Sequence, residues 1–205
     1  MAPDVRKVDE KLLAKMRVVA ARGFSNSAKG LSQMIGQELS VHSPDVDLVP
    51  LKAIADMLGG PDNDAVGVYL RVEGDLTGQI MMVIGYQQAL EFCDMVLDLP
   101  GGTTQDFGRM ERSALSEIGN LTGTFFLNAI YEITGISSMP SPPAVMVDMV
   151  GSILDVVVAT MGAISDQIMM FKAVFQIGER KIQADFWIIP DPATLDKLTV
   201  AEMKE

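Results

Sequence analysis

Apolar and small residues at Leu12, Leu13, Met16, Val19, Gly23, Ser27, Leu31, Met34 and Ile35 recur every three to four positions. That is the period of an amphipathic helix, and the pattern predicts one that ends near Gly36. The period then changes. A Ser-Pro-Asp turn at Ser43 to Asp45 leads into Val46-Asp-Leu-Val-Pro50, whose alternation predicts a short strand with Pro50 at an edge or an end. Ala65 to Val72 and Leu76 to Ile84 are apolar enough to be strands buried on at least one face, and Glu73-Gly74-Asp75 between them is short enough for a hairpin. A helix from about Gln87 to Leu97 closes this half at Pro100-Gly101-Gly102.

The second half replays the order. A helix is expected from about Asp106 to Thr134, a proline turn at Met139 to Pro143, a segment beginning Ala144-Val-Met-Val-Asp-Met149, strands near Gln167 to Ile177 and Lys181 to Ile189, and a final short helix after Asp191. Gly36 matches Gly135, Ser43-Pro44 matches Ser141-Pro142, and Gly74 matches Gly178, which implies an internal duplication. Two separate domains of about 100 residues would each leave a sheet edge bare. The expectation is therefore one α+β domain over residues 1–205, with half-repeats at about 11–100 and 106–200. Its two α-β-β-α halves, related by a pseudo-two-fold, share an antiparallel sheet, and the two long helices pack together. A duplicated chain already contains its own pair of halves, so a monomer is expected.

Composition narrows the function. Of 205 residues, 48% are apolar and 21% charged, and 27 acidic against 16 basic residues give a formal net charge of -11. That balance repels a phosphate backbone, and no local Lys/Arg cluster overrides it, so no nucleic-acid partner is expected. A single cysteine, Cys93, and a single histidine, His42, leave no His/Cys set for zinc. The first residues are charged where a signal peptide would turn apolar, which points to the cytoplasm. The longest weakly polar run, Val156 to Ser165, is well short of the ~18 residues of a membrane span, and is expected to be a buried helix end or strand. Met81-Met82 and Met169-Met170 read as core, Trp187 as a buried residue on the edge of the last strand, His42 as a loop residue and Cys93 as a buried, inert thiol.

Candidate chemistry concentrates on the long helix of the second half. At about 100° per residue, Ser113, Glu117 and Asn120 fall within an arc of roughly 60°, while Leu115, Ile118, Thr122, Phe125, Ala129 and Ile133 form the opposite, apolar stripe. Gly119 and Gly123 lie on a third flank. Each costs about 1 kcal/mol relative to alanine in a helix, which implies close approach to the sheet or to a partner helix. By spacing alone a Glu/Asn pair one turn apart is ordinary solvated helix surface.

The wider pattern is more specific. Ser113, three residues, Glu117, two residues, Asn120, then twenty-two residues and Pro143 is similar to the signature of the CheC/CheX/FliY phosphatases of bacterial and archaeal chemotaxis. Pro142-Pro-Ala-Val-Met-Val-Asp-Met149 and Ala28-Lys-Gly-Leu-Ser-Gln-Met34 resemble further CheC segments, and the likeness runs from about Lys11 to Leu198. The resemblance implies hydrolysis of the aspartyl phosphate of a CheY-type response regulator. Asn120 would position the attacking water, Glu117 would pair with the regulator's lysine, and Ser113 and Pro143 would be accessory. No cofactor of its own is implied, Mg2+ being held by the regulator. CheC proteins also bind the deamidase CheD near the segment after Pro143, which makes Asp148 a candidate contact or, equally, a residue that caps the following helix. Many CheC proteins carry the signature twice. Here Ala14, Val18 and Ala21 stand where the first copy would have its polar residues, so one functional face is expected, and a non-catalytic binding module akin to the flagellar switch proteins is the alternative.

Overall fold

The computed structural model describes residues 10–42, 46–161 and 167–203. The Ser43–Asp45 turn, most of the charged N-terminal stretch and the end of the Val156–Ser165 run lie outside the described residues. In chain order the elements are α1 (Glu10–Ile35), β1 (Ser40–His42), β2 (Val46–Pro50), a single 3-10 turn, α2 (Ile54–Met57), β3 (Asp64–Gly74), β4 (Gly78–Gly85) and α3 (Tyr86–Val96). The second half follows as α4 (Arg109–Thr134), β5 (Ser138–Pro140), β6 (Ala144–Met149), α5 (Val150–Met161), β7 (Gln167–Ile177), β8 (Arg180–Pro190) and α6 (Pro192–Val200).

The long helices α1 and α4 are each 26 residues and run in register along the chain, so that Ala14 matches Ser113, Val18 matches Glu117 and Ala21 matches Asn120. Both stop in the same way. Gly36 and Gly135 take left-handed φ of 72° and 78°, and the N–H of each is donated to the carbonyl of the residue four before it, Ser32 and Tyr131. Only glycine enters that conformation without a Cβ penalty.

Among the described residues the strands form one eight-stranded antiparallel sheet with β8 and β4 at its centre, flanked by β7 and β3. The short strands are exchanged between halves: β1 and β2 extend β7, while β5 and β6 extend β3. Each half thus closes the sheet edge of the other. The central β4–β8 pair, with Ile80 opposite Ile188 and Met82 opposite Phe186, joins them.

Two cores follow from strand alternation. On one face Val68, Leu70, Ile80, Met82, Phe171 and Phe186 pack beneath α1 and α4; on the other Met81, Met170 and Trp187 pack beneath α2 and α5. Phe24 of α1 meets Phe186 edge-on at 5.1 Å between ring centroids, and Phe126 of α4 meets Phe171 at 5.4 Å, tying both helices to the sheet. Small residues set the helix–helix distance. A Cβ on Gly23 would stand 3.0 Å from the Phe126 Cα, and Gly30 lies under the Phe125 ring.

Several expectations change. Trp187 is fully buried, but β8 is an interior strand rather than an edge, because the duplication brings the last strand to the sheet centre. The proline turn expected at Met139 begins as β5, whose backbone pairs with Val72–Gly74. His42 ends β1 rather than lying in a loop, and its Nε2 is 3.1 Å from the Ser40 hydroxyl. Val156 and Val158, expected buried, lie on the exposed side of α5, with Val157 turned inward.

Candidate functional site

α4 is held on three sides. Leu115, Ile118, Thr122, Ala129 and Ile133 are buried in the core, with the Thr122 hydroxyl donating to the Ile118 carbonyl at 2.8 Å. Gly119 and Gly123 settle against β3 and not against a helix: a Cβ on Gly119 would meet Val68 Cγ1 at 2.5 Å, and one on Gly123 would meet Leu70 Cδ1 at 3.5 Å. Phe125 and Phe126 press on α1. The remaining side faces outward. It carries Ser113 and Glu117, both exposed, and Asn120, half-buried. Among the described residues no side-chain hydrogen bond or ion pair engages any of the three. A carboxylate and an amide with unspent hydrogen-bonding capacity, one turn apart on a helix that cannot rotate, form a rigid two-point recognition element.

Pro143 lies in the link between β5 and β6, half-buried. The strand register sets it near this part of α4: Gly119 packs on Val68, and Val68 is opposite Val145. Asp148 is elsewhere. It is opposite Ala65, three residues further along β3 from Val68, a distance of roughly 10 Å at the usual strand rise. Its exposed Oδ1 accepts the Met149 N–H at 2.8 Å just before α5 begins, so this carboxylate shapes the entry into α5. The matching face of α1 offers only Ala14, Val18 and Ala21, all exposed, Val18 by 41%.

Ser113 and Glu117 also form one wall of a surface groove of about 480 Å3, completed by Met34 and Ile35 at the end of α1, Val96, Leu97 and Asp98 at the end of α3, and Met110 and Ala114 on α4. The apolar periodicity of α1 includes Met34, yet Met34 is 43% exposed and Met110 57%; in the last turn of α1 Ile35 packs against the core while Met34 is turned outward. Met110 stands two turns before Glu117 on the same side of the helix, and that spacing was the available signal for it. The groove is walled by a braced loop. Burial pushes the Asp94 carboxyl up, but hydrogen bonds from the Thr104 hydroxyl and from the Thr104, Thr103 and Gly102 N–H groups outweigh it and hold the group below its ordinary value. The Thr104 contacts measure 2.6 and 2.9 Å.

No family model matches the chain. The CheY-P phosphatase CheC of Bacillus subtilis (strain 168) is 27% identical over 198 residues, covering 95% of this chain and 95% of that protein. Among solved structures, Thermotoga maritima FliY matches with a TM-score of 0.76 at 15% identity, over 95% of this chain and 96% of its own. A chain of the FliM–SpeE complex from H. pylori matches at 0.72 and 14%, over 95% and 98%. A chain of the CheX–CheY–BeF3–Mg2+ complex from Borrelia burgdorferi matches at 0.50 and 17%, over 84% and 99%. The fold is that shared by FliY, FliM and CheX, a duplicated α+β sheet under two long helices. By sequence along nearly its whole length the chain is similar to CheC, and its fold is the one those solved structures share. No helix among the described residues is long and apolar enough to cross a membrane.

Proposed function

We propose that the protein is a phosphatase that hydrolyses the aspartyl phosphate of a CheY-type response regulator, through one face, that of α4. The observation that carries this reading is the pair Glu117 and Asn120, unpartnered and outward on a helix fixed on its other sides, in a chain similar along 95% of its length to a CheY-P phosphatase. In the reaction a water oxygen attacks phosphorus, the bond from phosphorus to the aspartyl oxygen breaks, and the carboxylate and inorganic phosphate leave. Asn120 holds the water in line, its carbonyl accepting a water O–H. An amide suits the place because it is neutral, whereas a carboxylate would repel the phosphoryl oxygens. Glu117 pairs with a lysine of the regulator and fixes the register. Ser113 adds a hydroxyl contact one turn before, and Pro143 supports the β5–β6 link beside the helix. The Mg2+ that balances phosphoryl charge belongs to the regulator.

Positioning accounts for the chemistry. Phosphoryl transfer needs orientation and charge balance more than covalent help, and a hundredfold acceleration corresponds to about 2.7 kcal/mol off the barrier. Ala14, Val18 and Ala21 on α1 neither donate nor accept through their side chains, so that face does not hydrolyse. The same erased face, in a fold shared with FliM, favours as second reading a module that binds without catalysis. Asp148 shapes the turn into α5, and its exposed carboxylate offers a contact to a CheD-type deamidase. Decay of phosphate on a purified CheY-type regulator decides between catalysis and binding. It accelerates with the wild-type protein and not with Asn120→Ala or Glu117→Ala; an unchanged lifetime in the presence of bound wild type rejects the phosphatase.

A further inference from the structure

We infer that the groove beside Glu117 is the docking seat of the response regulator, with Met34 and Met110 holding an apolar side chain on the regulator segment that bears its lysine. This rests on the phosphatase reading of α4. Groove and site are continuous, since Ser113 and Glu117 belong to both. Met110 lies two helical turns from Glu117, about 10 Å along the axis. A specific protein interface covers roughly 800 Å2 on each partner, a patch far wider than that distance, so a regulator that brings its phosphoryl group to Asn120 also lies over the groove.

The lining states what fits there. Val96, Ile35 and Ala114 make an apolar floor, and two exposed thioethers, soft and adaptable, stand at its mouth. Two carboxylates, Asp98 and Glu117, mark the rim, so the occupant is an apolar group flanked by cationic ones. The wall is preformed. Asp98 sits at a left-handed φ of 56°, bracketed by the Leu97 N–H donating to Cys93 and the Leu99 N–H donating to Asp94, and the Asp94 carboxylate in turn anchors Thr103 and Thr104. A rigid seat spends little entropy on binding.

The test uses the full chain with Met34 and Met110 both changed to Ala, both changed to Leu, and Asn120→Ala separately. The partner is a CheY-type regulator, phosphorylated with acetyl phosphate for turnover and loaded with beryllofluoride and Mg2+ for the dissociation constant. The double Ala variant is expected to raise both KM and Kd roughly tenfold with kcat within about twofold of wild type. The double Leu variant, which keeps the apolar bulk, is expected to restore both constants, and Asn120→Ala to lose kcat with Kd unchanged. Unchanged KM and Kd in the double Ala variant overturn the groove and leave the phosphatase standing. Binding that depends on the two methionines without any hydrolysis by wild type overturns the phosphatase and leaves the groove. Absence of binding by wild type overturns both.

Discussion

Substituting Gly119 and Gly123 by alanine, one at a time, tests how α4 is seated. In a helix interior alanine is favoured over glycine by about 1 kcal/mol, and both positions gain that equally. Their surroundings differ. At Gly123 the new methyl meets the two terminal carbons of Leu70 at 3.5 and 3.6 Å, ordinary contact distances, so Gly123→Ala is expected to stabilise by up to about 1 kcal/mol. At Gly119 it would meet Val68 Cγ1 at 2.5 Å and Val68 Cβ at 3.1 Å. Val68 is fully buried on an interior strand, and its β-branched side chain has few alternative rotamers. Relief comes only if α4 lifts from β3, an overpacking cost of about 1–3 kcal/mol. The two variants should therefore differ by roughly 1–3 kcal/mol, which at an ordinary urea slope separates their midpoints by about 1 M. Urea unfolding followed by circular dichroism reads this directly. A Gly119→Ala midpoint equal to or above that of Gly123→Ala would refute the seating of α4 on β3. Because Asn120 is the next residue, Gly119→Ala should also depress activity more than Gly123→Ala does.

Two further outcomes follow from buried groups. Asp94→Ala, which leaves the Thr103 and Thr104 N–H groups unpaired, should cost about 2–3 kcal/mol in urea unfolding. Since the folded carboxyl titrates below its unfolded value near 4, its stabilisation is present above that pH and lost as pH falls through the lower folded value. Asp94→Asn should accordingly flatten the acid limb of the stability curve; an unchanged limb would contradict the bracing of the α3–α4 loop. Burial above all, and then the Glu111 and Asp94 charges, push the Cys93 thiol up to about 12. Native protein at pH 8 should therefore resist a thiol reagent that labels the unfolded chain at once, and rapid native labelling would place Cys93 nearer the surface than the core packing does.

What could be read from sequence follows from how local each determinant is. The outward trio of α4 was legible because a 26-residue helix with a continuous apolar stripe leaves only one orientation, and Ser113, Glu117 and Asn120 lie opposite that stripe. The glycines at 119 and 123 announced a close neighbour without naming it, and only the sheet register, which sets Val68 and Leu70 beneath them, identified β3. Strand order was hidden. Hydrophobic runs mark β4 and β8 as strands, but their adjacency at the centre depends on long-range pairing between the halves, and so Trp187 looked like an edge residue. β1 and β5, three residues each, are too short to show a period and exist through their pairing with the opposite half. Met34 continues the apolar stripe of α1 by spacing, and nothing local reveals that in the last turn Ile35 meets the core while Met34 is left to line the groove.

An isosteric change at Asn120 tests most directly whether a neutral amide on α4 positions the attacking water. Asn120→Asp keeps the shape and replaces the amide by a charge. The lifetime of the aspartyl phosphate on a CheY-type regulator should shorten in the presence of wild-type protein and return close to its unassisted value with Asn120→Asp, a rate loss of roughly a hundredfold if the amide supplies about 2.7 kcal/mol. Undiminished acceleration by Asn120→Asp, or none by wild type, would contradict it.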